Sequence, residues 1–257
     1  MNEPLLLIAF GGDGTAHEVI EGVIGYNHCT VGVVGAGSGN DFGRGFLSFK
    51  SPAELNHYVS SAMLTKSNDI GILKVKEQDY YFVNNAGIGF DATVALHVNQ
   101  SSLKKWLNYI GLGKLAYTYY VIKTLITFKR FQLTIGTNQI DLQFSNVWFA
   151  TVSNQPFFGG GMRISPNSNP SDGQIELTVV HDLSRLKLLL VFATVFFGKH
   201  TRFKEVHQFT STSFTMSTSQ NVIRHTDGEF AGTTTADVVD EFMVLKDQWN
   251  LVYIPTP

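Results

Sequence analysis

The stretch LLLIAFGGDGTAHEVI (residues 5–20) decides the fold of this protein. It opens with an apolar run that suits a fully buried strand of a parallel sheet. The glycines of GGDGT (11–15) then allow the backbone to turn tightly and to approach a ligand closely. Thr15 and Glu18 have the spacing of a capping box, which predicts that a helix begins at Ala16. Because the N–H groups at a helix start are unpaired, this loop is suited to hold an anion.

The next residues repeat this arrangement. TVGVV (30–34) predicts a second short strand, which runs into the glycine loop GAGSGNDFGRG (35–45). Strands that alternate with glycine loops and helices indicate an α/β fold. In an open parallel sheet, ligands bind at the carboxyl ends of the strands, where loops and helix starts converge. Two glycine loops at successive strand ends therefore predict a phosphate-binding site, with plain tight turns as the alternative.

The later part of the chain has a different character. Short segments rich in β-branched and aromatic residues are separated by turn residues, which is typical of antiparallel strands. Two predicted helices, 103–128 and 184–197, interrupt these strands. We therefore predict an α/β domain over residues 1–68 and an all-β domain over 69–247. The tail, 248–257, is a candidate member of the first domain.

Composition excludes several classes of protein. Hydrophobic residues make up 44% of the chain, enough for a sizeable core, and the net charge is only -2. Nucleic-acid binding requires a basic face, so we expect no nucleic-acid partner. The single cysteine, Cys29, excludes an internal disulfide framework and favours a reducing, cytoplasmic location.

The longest apolar run is LLLVFATVFFG (188–198), which lies between Lys187 and Lys199. It is too short to cross a membrane, since a membrane span requires about 20 such residues. We predict a buried helix here, and a helix that lies at a membrane interface is the alternative.

Asp13 is unexpected inside a loop that binds phosphate, because a carboxylate repels phosphate unless a cation lies between them. Magnesium is the usual cation, since it binds one or two carboxylates together with phosphate oxygens and water. Asp41, in the second glycine loop, can join the same arrangement. The two loops therefore predict a metal–nucleotide site. It differs from a Walker motif, which requires Gly-Lys-Ser/Thr, and its glycine spacing differs from the dinucleotide-binding fingerprint.

Six motifs occur in the order typical of one known family. They are GGDGT (11–15), GSGNDFGR (37–44), NNAGIGFDATV (84–94), FFGGGMRISPNSNPSDGQIEL (157–177), GKH (198–200) and HTDGEF (225–230). Together they extend over nearly the whole chain, which resembles the soluble diacylglycerol kinase and sphingosine kinase family in its bacterial lipid-kinase branch. GGDGT is shared with NAD kinases, but their second signature, Thr-Pro-Thr-Gly-Ser-Thr, is absent from this sequence.

The resemblance implies an ATP-dependent kinase that phosphorylates the hydroxyl group of diacylglycerol or a related lipid. It also implies a Rossmann-like first domain, here truncated, followed by an antiparallel β-sandwich, with the active site in the cleft between them. Phosphoryl transfer depends mainly on positioning and charge neutralisation, so Mg2+ is the metal expected beside ATP. A lipid substrate also implies peripheral contact with a membrane.

Individual residues take implied roles by their match to the family motifs. Glu229 matches the proposed general base, which accepts the proton of the acceptor alcohol, and Asp227 lies beside it. The acidic positions that the family links through a metal and waters are Asp13, Asp41 and Asp91. The implied second, structural magnesium site consists of Asp172 and of backbone carbonyl groups near Asn169 and Gln174. The implied ATP contacts are Gly11, Gly12, Asp13, Gly14, Thr15, Glu18, Ser38 and Asn40.

The chain also departs from the family pattern. The family has a strand, a helix and an Asn-Pro loop ahead of GGDGT, whereas this chain starts almost on the strand that leads to Gly11. Gly35 and Ala36 stand where proline and a larger residue are usual. The alternative function is therefore a truncated, non-catalytic homologue that binds lipid or a protein partner, and its open sheet edge would favour a homodimer. A kinase for a nucleotide or a sphingoid base is a third hypothesis.

Overall fold

The computed structural model describes residues 3–37, 39–61, 63–76, 78–101, 113–137 and 141–254. The first part of the chain contains β1 (Leu5–Gly11), α1 (Asp13–Glu21), β2 (Cys29–Gly35), α2 (Phe42–Gly45) and α3 (Pro52–Val59). The second part contains β3 (Thr65–Val75), β4 (Gln78–Phe82), β5 (Asn85–Gly89), α4 (Phe90–Asn99), α5 (Gly113–Thr127), β6 (Phe131–Gly136), β7 (Asp141–Ser153), β8 (Phe157–Phe158), β9 (Met162–Arg163), β10 (Ile175–His181), α6 (Arg185–Val195), β11 (Val206–Ser211), β12 (Ser213–Thr218), β13 (Ile223–Thr226), β14 (Glu229–Thr233) and β15 (Val239–Val252). All the described strands except β8 and β9 form one continuous sheet.

β1 and β2 lie parallel and in step, from Leu5 beside Cys29 to Gly11 beside Gly35. Their carboxyl ends therefore lie at the same edge of the sheet, and both glycine loops leave from that edge. The α/β prediction for the first part of the chain is confirmed. β1 is the outermost described strand of the sheet, and a homodimer formed through it stays a prediction.

α1 begins earlier than the capping-box spacing predicted. Its first residue is Asp13, Gly12 occupies the N-cap position, and no described side chain caps the first turn. The predicted start at Ala16 is therefore wrong, by more than the usual uncertainty of a helix boundary. Glycine at position 11 makes the early start possible, because a Cβ on Gly11 would collide with the side chain of Thr15 in the first turn.

The second part of the chain is antiparallel, as predicted. Its strands follow the order β15-β12-β6-β7-β5-β13-β14, with β10 and β11 extending from β7, and β3 and β4 extending from β15. The strand β7 is one continuous run of 13 residues, whereas residues 206–218 divide between β11 and β12. The helix α4 was not predicted. Residues 102–112, part of the predicted helix 103–128, lie outside the described residues.

α6 lies within the predicted helix 184–197, and Ser184 caps it by accepting a hydrogen bond from the N–H of Lys187. Its residues Leu188 and Val191 are buried, whereas Leu190 is 67% exposed. The prediction of a buried helix is therefore correct for only one face. None of the described helices is long and apolar enough to cross a membrane.

β15 connects the two parts of the chain. It pairs antiparallel with β12 and with β3. Near its end, Asn250 and Leu251 pair in parallel with Thr30 and Val31 of β2. One strand thus belongs to the antiparallel sheet and also extends the parallel sheet of β1 and β2.

These pairings bear on the predicted domain limits. β3 runs across the predicted boundary after residue 68, and β15 runs across the predicted boundary after residue 247. β3 and β15 pair with each other on both sides of these boundaries. The limits 1–68 and 69–247 therefore remain predictions.

Trp249 is fully buried in β15, where the pairing register with β3 shifts. The centroid of its ring lies 5.4 Å from that of Phe46 and 6.3 Å from that of Phe42. Its indole N–H donates to the carbonyl oxygen of Asp69 over 3.1 Å. The side chain thus packs β15 against α2 and holds β3 beside it.

We expect Trp249→Ala to lower the free energy of unfolding by about 3 to 5 kcal/mol, because it leaves a cavity and removes a buried hydrogen bond. Urea unfolding followed by circular dichroism measures the change. Val239→Ala, at a position that is 57% exposed on the same strand, is the matched control. We expect the control to change stability by no more than about 0.5 kcal/mol. Equal losses in the two variants would contradict this role of Trp249.

Candidate functional site

The two glycine loops touch each other at the carboxyl ends of β1 and β2. A Cβ added to Gly37 would lie 2.6 Å from the Cα of Gly12, so the two backbones meet where only glycine fits. A Cβ added to Gly39 would lie 2.6 Å from Oδ2 of Asp13. The first turn of α1 opens at the same place. Backbone N–H groups of a helix start and two glycine loops therefore converge at one edge of the sheet.

Asp13 joins the two loops. Its Oδ1 accepts a hydrogen bond of 2.8 Å from the N–H of Phe42, the first residue of α2. Its Oδ2 faces Gly39 and has no hydrogen-bond partner among the residues that the structure describes. One oxygen of Asp13 therefore holds the second loop in place, and the other is free to bind a cation.

Asp41 ties the first part of the chain to the ribbon of β8 and β9. Its carboxylate accepts from the N–H groups of Gly160 and Gly161 over 2.7 and 2.6 Å, and Arg44 lies 3.2 Å away. Gly160 and Gly161 have φ of 89° and 103°, a left-handed backbone that favours glycine. Burial raises the pKa of the Asp41 carboxyl; the Gly160 N–H opposes this rise, and the charge of Asp13 adds to it.

Asp227 lies in the turn between β13 and β14, with a φ of 48° that aspartate tolerates better than most residues. Its carboxylate accepts hydrogen bonds from the N–H groups of Val83, Asn84 and Asn85 over 2.7, 2.9 and 2.9 Å. Nδ1 of His17, in α1, lies 2.7 Å from its Oδ2. Both oxygens are occupied, so Asp227 anchors the turn against the first part of the chain.

Glu229 is the first residue of β14, directly after this anchored turn. It is exposed, and its carboxylate forms no hydrogen bond or ion pair with another residue of the described ranges. The turn is also held from α4, where Asn99 donates from its side chain to the carbonyl oxygen of Gly228 over 3.1 Å. A carboxylate without a protein partner thus stands next to a turn of fixed geometry.

Asp91 is the second residue of α4. Its Oδ2 accepts from the hydroxyl of Thr151 over 2.7 Å and lies 3.3 Å from Nε2 of His225. These contacts place Asp91 in the second part of the chain, and among the described residues it makes no hydrogen bond to Asp13 or Asp41. A link among the three acids therefore requires other groups between them.

The remaining predicted ATP contacts lie at the same edge of the sheet. Gly14 and Thr15 belong to the first turn of α1, and Glu18 follows one turn later. Asn40 has a φ of 53°. Its side-chain oxygen Oδ1 lies close to Gly35, because a Cβ added to Gly35 would be 3.0 Å from this oxygen. Ser38 lies outside the described residues.

The residues predicted for a second magnesium site share one turn ahead of β10. Oδ1 of Asp172 accepts from the N–H of Gln174 over 3.0 Å, and the carbonyl oxygen of Asn169 accepts from the N–H of Asp172 over 3.4 Å. Asp69, a buried residue of β3, holds this turn because its Oδ2 accepts from the N–H of Gly173 over 2.6 Å. Sequence analysis missed Asp69, although an acidic residue beside the apolar run of a strand was the available signal.

The described residues contain no group of three or more histidine, cysteine, aspartate or glutamate side chains that could hold a metal ion by themselves. A magnesium ion that also binds phosphate needs only one or two carboxylates. The free Oδ2 of Asp13 fits this requirement, whereas both oxygens of Asp41 already accept backbone hydrogen bonds. The turn at Asp172 offers one carboxylate together with backbone carbonyl groups.

A narrow apolar cavity of about 30 Å³ adjoins this site. Its walls come mainly from α4, α5, α6 and the neighbouring strands, with Val121 and Phe192 among them, and Asp91 contributes a polar group. Phe158, also in the wall, stacks on the ring of His225 with the centroids 5.5 Å apart. The cavity therefore connects the Asp91–His225 pair with the inner faces of two apolar helices.

Two domain families match this chain. The family described as Diacylglycerol kinase catalytic domain matches residues 2–75. The family described as YegS C-terminal NAD kinase beta sandwich-like domain matches residues 84–245, which is more than half of the chain. The chain belongs to the bacterial lipid kinase family.

Two relatives illustrate how closely this lipid kinase family member matches known sequences. The protein named "Putative lipid kinase YtlR" from Bacillus subtilis (strain 168) is 36% identical over 231 residues, which are 89% of this chain and 75% of that protein. The protein named "Diacylglycerol kinase" from Mycobacterium tuberculosis (strain ATCC 25618 / H37Rv) is 29% identical over 234 residues, which are 89% of this chain and 71% of that protein.

A solved structure shares the fold of this lipid kinase family member. The crystal structure of a "putative diacylglycerol kinase from Bacillus anthracis str. Sterne" matches with a TM-score of 0.72 and 22% identity. The match covers 97% of this chain and 77% of that chain. Together with the two domain families, it confirms the predicted fold, a Rossmann-like α/β domain followed by a β-sandwich.

His17 makes the contact between α1 and the Asp227 turn sensitive to pH. Burial lowers the pKa of its ring, but the hydrogen bond to Asp227 and the charges of Asp227, Glu21 and Glu18 outweigh burial and raise the pKa above its ordinary value of 6.5. Nε2 of His17 also lies 3.5 Å from the carboxylate of Glu21. The protonated ring therefore links two acidic groups.

We expect His17→Gln to lower the free energy of unfolding by about 1.5 kcal/mol near pH 6 and by less near pH 8.5. The folded pKa of His17 lies above the unfolded value, so the stabilisation is complete below pH 6.5 and is lost as the pH rises through the folded pKa. Urea unfolding across this range measures the difference, with His57→Gln, an exposed histidine of α3, as the control. If His17→Gln lowers the free energy of unfolding by the same amount at pH 6 and at pH 8.5, the ion pair between His17 and Asp227 does not form.

Proposed function

We propose that this chain is an ATP-dependent lipid kinase that transfers the γ-phosphate of ATP to a hydroxyl group of diacylglycerol or a related lipid. One observation carries the proposal. The helix that follows the Asp13 loop is held through His17 against the Asp227 turn, which leads into Glu229, and the second glycine loop is held through Asp41 against the ribbon of β8 and β9. Relatives that are named diacylglycerol kinase support this substrate class.

The glycine loops are the proposed ATP site. Gly12 and Gly37 let the loops approach each other and a ligand without side chains in between. The start of α1 favours negative charge, because its N–H groups and the helix dipole point toward the loop. The proposed contacts are Gly11, Gly12, Asp13, Gly14, Thr15, Glu18, Ser38 and Asn40.

Asp13 is the proposed direct ligand of Mg2+ at the ATP phosphates, through its free Oδ2. Bound Mg2+ supplies charge neutralisation of the phosphates during transfer. Asp41 and Asp91 hold the surrounding backbone and side chains through their own hydrogen bonds. The turn at Asp172, with carbonyl groups near Asn169 and Gln174, is the proposed structural site.

Glu229 is the proposed general base. The lipid hydroxyl must lose its proton as its oxygen attacks phosphorus, and a carboxylate within hydrogen-bond reach can accept that proton. Glu229 is suited to this role because no described residue occupies its carboxylate. Asp227 has a positioning role in this proposal, since four hydrogen bonds already occupy its oxygens.

The apolar cavity supports a lipid acceptor. Its walls are aromatic and aliphatic, and Asp91 is the acidic residue among them. At about 30 Å³ it has room for only one or two water molecules. An acyl chain therefore requires side chains such as Phe158 and Phe192 to move apart.

The decisive experiment measures transfer from labelled ATP to mixed lipids. We expect Glu229→Gln and Asp13→Asn to lower kcat by about 100- to 10,000-fold, because they remove the base and a charge at the phosphates. Asp79→Asn, an exposed acid on β4, is the matched control and should keep full activity. Equal turnover in all of these proteins would remove the roles assigned to Glu229 and Asp13.

The carboxylates of Asp41 and Asp91 already accept hydrogen bonds from protein groups, which makes them less available to a metal ion. This observation favours one alternative, a homologue that binds lipid without phosphorylating it. Calorimetry separates the two functions. We expect wild-type protein to bind Mg-ATP with measurable heat, and Asp13→Asn to weaken this binding by about tenfold or more. Wild-type protein that gives no heat with Mg-ATP would favour the non-catalytic alternative.

A further inference from the structure

We propose that the outward faces of α5 and α6 dock on the surface of an anionic lipid bilayer. The inference rests on the proposed function, because a lipid kinase must reach a substrate that resides in a membrane. Its own evidence is the distribution of apolar and charged side chains over these two helices.

α6 exposes a stripe of large apolar side chains. Leu186 and Leu190 of α6 are 78% and 67% exposed and lie one helical turn apart on the same side, and Phe197, two residues after the end of the helix, is 73% exposed. The opposite side, with Leu188 and Val191, is buried against the core. A surface helix normally turns polar residues toward water, so an outward apolar face marks an interaction surface.

α5 adds a second stripe beside the first. Tyr119, Ile122 and Ile126 are 51%, 49% and 65% exposed, again at helical spacing. Nε of Arg185, the first residue of α6, donates to the carbonyl oxygen of Leu125 over 2.9 Å. The end of α5 therefore lies against the start of α6, and the two stripes form one surface.

The two segments that contain α5 and α6 carry basic but no acidic residues. The sequence contains no acidic residue between Asp91 and Asp141, and none between Asp182 and Glu205, although the whole chain has a net charge of -2. Exposed basic side chains of these two segments that form no ion pair within the described ranges include Lys123, Lys129, Lys199, Arg202 and Lys204. The segments that carry the apolar stripes therefore have a net positive charge.

An anionic bilayer suits both features at once. Apolar side chains gain free energy at the boundary between headgroups and acyl chains, and basic side chains are attracted to anionic headgroups. A nucleic acid would match the basic residues and leave Leu190 and Phe197 exposed to water. The inner faces of the same helices, with Val121 and Phe192, line the apolar cavity, so docking brings the membrane to the proposed lipid site.

Sedimentation with vesicles, in the absence of ATP, tests the surface. Wild-type protein should bind vesicles of phosphatidylglycerol and phosphatidylcholine more tightly than vesicles of phosphatidylcholine alone. Leu190→Gln/Phe197→Gln should lower the partition coefficient by about tenfold or more. Tyr26→Gln/Val59→Gln, which are 56% and 51% exposed in the first part of the chain, are the matched control and should bind like wild type.

A second variant tests the charge. Lys199→Gln/Arg202→Gln should lower binding to anionic vesicles by about fivefold per cation removed and leave binding to neutral vesicles unchanged. The surface is disproved if wild-type protein does not bind anionic vesicles, if all variants bind equally, or if the control loses as much as Leu190→Gln/Phe197→Gln.

An activity measurement separates this inference from the kinase proposal. Leu190→Gln/Phe197→Gln should phosphorylate a short-chain diacylglycerol dispersed in solution as wild type does, and should lose activity on diacylglycerol in vesicles. If wild-type protein phosphorylates no lipid but the vesicle results are as expected, the kinase proposal fails and the surface stands. If lipid is phosphorylated and vesicle binding is insensitive to these variants, the surface fails and the kinase proposal stands.

Discussion

A carboxylate that is buried among backbone N–H groups must keep its hydrogen bonds, because each donor left without a partner costs about 1 to 3 kcal/mol. Asp227 is held in this way by the N–H groups of residues 83–85, and Asp41 by those of Gly160 and Gly161. His17 completes the first contact from α1. Both carboxylates join the first part of the chain to the second, Asp227 through His17 and Asp41 through Gly160 and Gly161. The relative placement of the two glycine loops and the Glu229 turn therefore depends on them.

The same chemistry divides the acidic residues of the site into two kinds. Asp227, Asp41 and Asp91 accept hydrogen bonds on both oxygens and therefore hold the backbone and neighbouring side chains. Asp13 keeps one free oxygen, and Glu229 keeps its whole carboxylate free of described partners. Charge neutralisation and proton transfer require carboxylates of the second kind, because an oxygen that already accepts protein hydrogen bonds is less available to a ligand.

α5 and α6 place apolar side chains on both of their faces. The inner faces complete the core around Trp148 and line the cavity, and the outer faces remain exposed. A helix that is apolar on all sides is normally buried, and here the protein itself covers only one side. The lack of acidic residues in both segments makes an anionic surface the suitable neighbour on the other side.

Residues 5–20 and 30–45 are sufficient to predict two parallel strands with glycine loops at one edge, because parallel strands end at the same edge and only glycine permits such loops. The ordered motifs are sufficient to predict the family and the β-sandwich. The helix α4, the hydrogen-bond partner of Asp69 and the contact of His17 with Asp227 were not predictable. They depend on packing between residues distant in the chain, such as the 210 positions that separate His17 from Asp227. The periodicity of apolar residues in the sequence indicates which face of a helix or strand is apolar. The hydrogen-bond partner of a buried carboxylate is decided only by the tertiary structure, when the chain has folded around it.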